Sequence, residues 1–432
     1  MTDLANPIYF NTASGSDTAA SGSGPATAVT GTGASLNATT TVDLSADTPD
    51  LSGVRAGDLL WVQSSSGMQF SVIASVDDVA DTVTVDTAFA VTETGRTWAI
   101  GGKRATLEDA SSRQLLQDLL NINSVIVELE DDQTINSYVF IKMIAIGDGN
   151  TPSRFRGSAG SIKTITQTAA DYHFRPDSNF QCYWENLRFE NSNATTNASC
   201  QVFWNRLRSQ GWHFIDCVFG DATNTIYSVQ YDNSGSWAGS FLRCKFQSTT
   251  EYAFKEAGHL PVKFVGCLFD SCYGGVNQYS SGYGYTGGSY SRCVFRNITT
   301  EAIRNNAVYN QYLGLTDVEG CIFDNCGTGF MAGRHMSIPM LSNNIFVDCT
   351  TAIDLNVQGQ ALGGLITPFM QGNAFYNCTT DVDSLPNTLN VDFEKITLTA
   401  DPFVDKANSD YNLNADAGGG ADLRSNNYTV GG

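Results

Sequence analysis

The sequence predicts an all-β chain: a right-handed parallel β-helix preceded by a small N-terminal β-sandwich or barrel domain and a short capping α-helix. Three observations predict it. A five-residue pattern recurs from residue 180 onward, and its spacing is irregular. The polar residues of the chain are mostly uncharged. The pattern is Cys or Asn (once Leu), any residue, Phe, any residue, then a short polar residue. Its phenylalanines are Phe189, Phe219, Phe246, Phe269, Phe295, Phe323, Phe346 and Phe375, spaced 30, 27, 23, 26, 28, 23 and 29 apart. Helical repeats hold a stricter period.

The unit has a simple physical reading. Two residues apart on a strand share a face, so Cys217 and Phe219 point the same way. The residue between them is mixed: Arg188 and Lys245, but also Val218 and Leu268. The closing Asn, Asp or Ser favours a turn and tolerates a left-handed backbone. One unit cannot bury its apolar face alone; stacked units can. Each coil adds a parallel strand at about 4.8 Å per step, so seven steps give roughly 34 Å of cylinder. Phe, Cys and the turn residues each become a ladder. Cys272, Cys326, Cys349 and Cys378, three after the Phe, make a fourth.

The elements follow in order. Residues 1–102 form a β-rich domain; its segments Leu59–Val62, Phe70–Ile73, Thr82–Val85 and Thr97–Ile100 alternate as strands do. Residues 103–122 hold the capping helix, predicted over 106–120. Thr106 is its cap, Glu108 and Asp109 lie in its first turn, and Leu115, Leu116, Leu119 and Leu120 form its apolar stripe. It covers the open end of the coil stack, because a bare sheet edge aggregates. Residues 123–415 wind the β-helix. Residues 416–432 read as a polar tail, flexible or ordered only by a partner.

Composition excludes several classes. Lys and Arg number 24 against 44 Asp and Glu, a net charge of −20, and only 16% of residues are charged. Globular chains carry about 25%, so Ser, Thr, Asn and Gly must build this surface. The acidic balance argues against nucleic acid and against anionic membranes. No stretch of about 18 apolar residues is present to span a membrane. The opening MTDLANPIYF carries no secretory pattern, so synthesis in a cytoplasm is expected. Eleven Cys without a CxxC read as buried reduced thiols. Four scattered His give no metal spacing, so neither structural metal nor cofactor is expected.

The repeat resembles the right-handed parallel β-helix, pectate-lyase-like superfamily, most similar in organisation to bacteriophage tailspike and virion β-helix proteins. The opening Tyr9–Asp17 is similar to the first segment of many such proteins, in which a Thr-Leu-x-x-Ala helix start follows soon after. Here Thr106-Leu107-Glu108-Asp109-Ala110 comes about 90 residues later, which implies that roughly residues 27–102 are an inserted or prefixed domain. Asp401–Leu413 is similar to the closing coil of such repeats.

The catalytic motifs of that superfamily are not matched. Asp131-Asp132 lies in the first coil, Gly258-His259-Leu260 is not Gly-His-Gly, and Trp212-His213-Phe214-Ile215-Asp216 only echoes a lyase segment. Glu251, Glu256 and Asp232 are the acids to consider if the chain is an enzyme. Two aromatic loops stand out: Tyr231 to Trp237, and the stretch holding Tyr279, Tyr283 and Tyr285. Aromatic faces beside hydroxyls suit sugar rings, a subunit interface, or plain packing, and the sequence leaves all three open. The resemblance implies a structural virion protein of a tailed bacteriophage. It would be a tailspike-like fibre or capsid-surface decoration on the virion surface, homotrimeric and docked to capsid or tail proteins through its N-terminal domain. It would bind bacterial surface polysaccharide without cleaving it. A polysaccharide depolymerase, hydrolase or lyase, is the alternative.

Overall fold

The computed structural model describes residues 7–119, 125–137, 139–141, 153–158, 160–169, 173–176, 182–192, 212–220, 229–231, 239–247, 249–256, 262–280, 287–307, 314–332, 337–355, 369–384 and 395–426. The chain divides into two units, Met1–Phe189 and Glu190–Gly432.

The first unit holds a closed barrel of six antiparallel strands: Val29–Asn37, Thr41–Asp43, Thr82–Val85, Gly67–Asp77, Leu59–Ser64 and Thr92–Ile100, in that order around it. Closure leaves no free edge. Leu36, Val42, Leu60, Val62, Ile73, Val83, Trp98 and Ile100 fill it. The strand Ile8–Phe10, which precedes the barrel in sequence, pairs in parallel with Ile126–Leu129, beyond it. Ser153–Gly157 pairs with Ile126–Leu129 and then with Cys182–Glu185, again in parallel. The barrel is thus inserted after the first solenoid strand.

A buried arginine ties this junction. Arg104 is wholly buried; it donates to the Ala20 carbonyl at 2.7 Å and to Ser112 Oγ at 3.2 Å, and lies 3.6 Å from Asp17. Asp17 also accepts from the backbone of Ala105 and Thr106. The helix runs Ala110–Leu119, four residues later than the sequence predicts. The Thr106 hydroxyl closes a turn with the Asp109 amide instead, so Glu108 and Asp109 precede the helix. The helix lies against Gly67–Asp77 of the barrel and Val139–Ile141 of the solenoid, burying Leu115 and Leu116.

The second unit is a parallel β-helix with three sheets. Sheet one stacks Trp212–Ile215, Ser240–Leu242, Val262–Val265, Gly288–Ser291, Gly314–Glu319, Ser337–Ser342 and Phe369–Gln371. Sheet two carries the Cys-x-Phe strands. Sheet three follows it, with Val229–Tyr231, Tyr252–Glu256, Gly274–Ser280, Thr351–Leu355 and Thr380–Ser384. The long strands Val294–Ala307 and Ile322–Ala332 run through both sheets two and three.

The phenylalanine ladder stands as the spacing predicts. From Phe219 through Phe246, Phe269, Phe295, Phe323 and Phe346 to Phe375, neighbouring ring centroids lie 4.5–5.3 Å apart and the rings tilt by no more than 12°. The sequence reading missed a second ladder on sheet one: Phe214, Phe241, Phe264 and Tyr290, stacked at 4.8–5.3 Å. The thiols Cys217, Cys244, Cys267, Cys293 and Cys321 are buried in line. Asn344 and Asn373 then take over. Asn344 donates to Asn373 at 2.9 Å and to the Val318 carbonyl at 2.9 Å, so these buried amides are paired.

Two left-handed turns per coil make the bends. After Phe269, Phe295, Phe323, Phe346 and Phe375 the predicted turn residues Ser271, Asn297, Asn325, Asp348 and Asn377 sit at φ 52–55°. A second line, before each Cys or Asn, holds Asp216, Arg243, Gly266, Arg292, Gly320, Asn343 and Gly372 at φ 52–63°. Gly266 and Gly320 enter this region without cost, whereas Arg243 and Arg292 carry a Cβ there.

The tail corrects an expectation. Phe403–Asp405 and Asp410–Leu413, expected as a closing coil, form an antiparallel pair instead, and within the expected tail of residues 416–432 Gly420–Ser425 is a short helix whose Leu423 is wholly buried. Leu398, Phe403, Tyr411, Leu413 and Leu423 cover an apolar stripe on sheet two made by Val294, Ile322, Ile345, Val347 and Ala374. The tail is ordered by this stripe through residue 426. That cover also accounts for apolar residues between Cys and Phe in the later coils.

Two stability outcomes follow. Phe269→Ala removes a ring stacked on both faces and is expected to cost about 3–5 kcal/mol in denaturant unfolding; a loss under about 1 kcal/mol would place it outside the core. Arg104→Met leaves Asp17 short of its cation and is expected to cost about 3 kcal/mol or more, read by the melting of the first unit.

Candidate functional site

The outer face of sheet three gathers aromatic and charged side chains from three successive coils. Tyr252 pairs with Gly274 on the next coil. A Cβ on Gly274 would lie 2.4 Å from Tyr252 Cδ1, so the missing side chain gives the tyrosine ring its floor. The ring reaches across that coil, and its hydroxyl donates to Glu301 on the following one. Arg304 donates to the same hydroxyl at 3.2 Å and lies 3.6 Å from Glu301. Burial first, and then the Glu301 bond, push the Tyr252 phenol up to about 12, so it stays neutral across the ordinary pH range.

Tyr273 stands edge-on to Tyr252, with ring centroids 6.0 Å apart, and is 43% exposed. Lys255 pairs with Glu251 at 2.9 Å beside them. Lys255, Asn277 and Arg304 occupy one register line. The result is a platform: an exposed ring edged by a phenol, two carboxylates, an ammonium and a guanidinium. A flat sugar face stacks on such a ring, and sugar hydroxyls both donate to carboxylates and accept from cations.

The sequence-predicted residues fall partly here. Glu251 belongs to the platform. Glu256 ends the same strand, on a register line with Tyr231 and Gln278. Tyr279 pairs with Asn306 on the same sheet. Asp232, Trp237, Tyr283 and Tyr285 lie outside the described residues. The sequence reading missed Tyr252, Tyr273, Glu301 and Arg304; aligning the coils on their second apolar segment would have placed Lys255 and Arg304 at one outward position. The lyase-like segment is structural. Asp216 occupies a left-handed turn and pairs with Arg243 at 2.7 Å, and His213 Nδ1 lies 2.8 Å from Ser240 Oγ.

A second acid cluster lies under the tail. Lys406 reaches Asp348, Asp401 at 3.1 Å and Asp324 at 3.8 Å. Tyr411 donates to Asp324 at 2.9 Å, and Arg296 bonds Asp270 at 2.6 Å and also Ser409. Burial raises the Asp324 carboxyl, against the opposing Tyr411 bond and Lys406 charge. In Asp270 and Asp348 burial is outweighed, by Arg296 in one and by Lys406 and Asn377 in the other, and both carboxyls fall below the ordinary value. Every cation here bonds the tail to the coils, so the cluster is a clasp. Among the described residues no group of three His, Cys, Asp or Glu is arranged to hold a metal ion.

No family model matches the chain, and no curated protein does. Among solved structures, the catalytic domain of a GH87 alpha-1,3-glucanase in complex with nigerose aligns at 10% identity and TM-score 0.37, over 87% of this chain and 89% of that one. The tailspike protein gp49 from Pseudomonas phage LKA1 aligns at 11% identity and TM-score 0.19, over 83% of this chain and 66% of that one. The parallel β-helix assignment rests on the strand pairing within this chain.

The clasp has a defined pH response. Asp270 and Asp348, depressed in the fold, stabilise it above their unfolded pKa and lose that contribution as pH falls through their folded values. Asp324 runs the other way, favouring the fold as pH falls. Protection factors of residues 401–413, which correct for the slower intrinsic exchange in acid, should therefore fall as pH falls, and more steeply in Asp324→Asn; an unchanged acid profile in that variant would remove Asp324 from the clasp.

Proposed function

We propose that this chain is a glycan-recognition protein of tailspike type, a virion β-helix whose sheet-three platform binds bacterial surface polysaccharide without cleaving it. The observation that carries the glycan reading is Tyr273: a large aromatic side chain, 43% exposed, edged by paired charges and a neutral phenol. The platform's acids are engaged, Glu301 by Tyr252 and Arg304 and Glu251 by Lys255. Such acids position a ligand; neither is a free base or acid. In this reading the inserted barrel docks the protein to capsid or tail components, and the chain acts as a homotrimer, a state that light scattering reads directly.

One observation favours the depolymerase alternative. Glu251 and Glu301 both bracket Tyr252, so two carboxylates do share the platform. Incubation with host-surface polysaccharide and a reducing-end assay separates the readings. Binding without released ends is expected. Release that disappears in Glu301→Gln would make the chain an enzyme.

Tyr273→Ala should weaken glycan retention by roughly three- to tenfold, the worth of one aromatic contact, with unchanged thermal unfolding. Retention equal to the parent would clear the platform of glycan binding.

A further inference from the structure

We infer, resting on the glycan-recognition reading, that the platform takes an uncharged polysaccharide and rejects polymers of acidic sugars. Three observations converge. First, both cations at the platform already face carboxylates of their own strands: Lys255 pairs with Glu251 at 2.9 Å, and Arg304 lies 3.6 Å from Glu301 while donating to Tyr252 at 3.2 Å. Recognition of a ligand carboxylate calls for a guanidinium fork or ammonium aimed at it. Here each cation would first have to leave an acid, and that acid would then repel the ligand.

Second, the register line that starts at Lys255, Asn277 and Arg304 continues through Met331 to Asp354 and Asp383. A polymer laid along sheet three, across the coils, leaves the ring and passes over acids. Uronic-acid units would meet them at coil spacing, about 4.8 Å per step. Third, the chain carries a net charge of −20, so a polyanion is repelled before contact, over the roughly 8–10 Å Debye length of physiological salt.

An uncharged sugar meets none of these costs. Its hydroxyls donate to Glu251 and Glu301 and accept from Lys255, leaving both internal pairs in place. Its ring face stacks on Tyr273, and Tyr252 stays a neutral phenol.

The test is affinity electrophoresis of the full chain through gels holding a neutral glucan, a neutral mannan, polygalacturonate or chitosan, at about 20 and about 300 mM NaCl. The expected result is retention by a neutral polymer, changing less than about twofold with salt and falling three- to tenfold in Tyr273→Ala. Polygalacturonate should not retain the parent at either salt concentration. Retention by polygalacturonate that matches or exceeds the neutral polymers overturns the inference and leaves the glycan reading standing. Retention by chitosan alone, lost at high salt and indifferent to Tyr273→Ala, is bulk charge attraction and overturns both, since the platform then binds no glycan. No retention on any polymer, host-surface polysaccharide included, overturns the glycan reading itself, and this inference with it.

Discussion

Parallel pairing in register is the constraint on which the second unit depends. Because each strand repeats the alignment of the one before, a side chain pointing inward rests on a side chain of the same position one coil earlier. Phenylalanine settles on phenylalanine, thiol on thiol, amide on amide. A slip of one residue would turn every inward ring outward. The left-handed turns that flank the strands of Phe269, Phe295, Phe323, Phe346 and Phe375 guard against that slip by fixing where each sheet ends. The copies are spaced irregularly, 23 to 30 residues apart, yet the described strands keep one alignment.

Much of this was legible in the sequence, and the exceptions have physical causes. The phenylalanine ladder showed because one large residue recurs at one position. The ladder of Phe214, Phe241, Phe264 and Tyr290 was hidden because its strands share no second marker and its last ring changes identity. The turn line through Arg243 and Arg292 was invisible because arginine is a poor sign of a positive φ. The polar composition of residues 416–432 reads as slack chain, yet the partner that orders Gly420–Ser425 is the chain's own sheet. The helix start moved because Thr106 caps a turn and not the helix.

The platform was half legible for a related reason. Glu251 was singled out, but its companions come from coils 22 and 50 residues further on: Tyr273 from the next coil, Glu301 and Arg304 from the one after. Adjacency there is created by winding, and only register reveals it. Gly274 matters for the same reason: a bare position on one coil lets a ring from the coil before span it and touch the coil after. Asp324 and Asp348 hold the tail instead.

The stripe formed by Val294, Ile322 and Ile345 bears on how the polypeptide is made. Its cover, beginning at Leu398, emerges from the ribosome about a hundred residues after Val294. At 5–20 residues per second that is a delay of roughly 5–20 s. Throughout it, the nascent coils carry a bare greasy strip that any neighbouring chain on the same messenger can meet. The segment that supplies this cover therefore closes the period of greatest exposure to misassembly, and nonsense truncation upstream of it would leave that strip open for good.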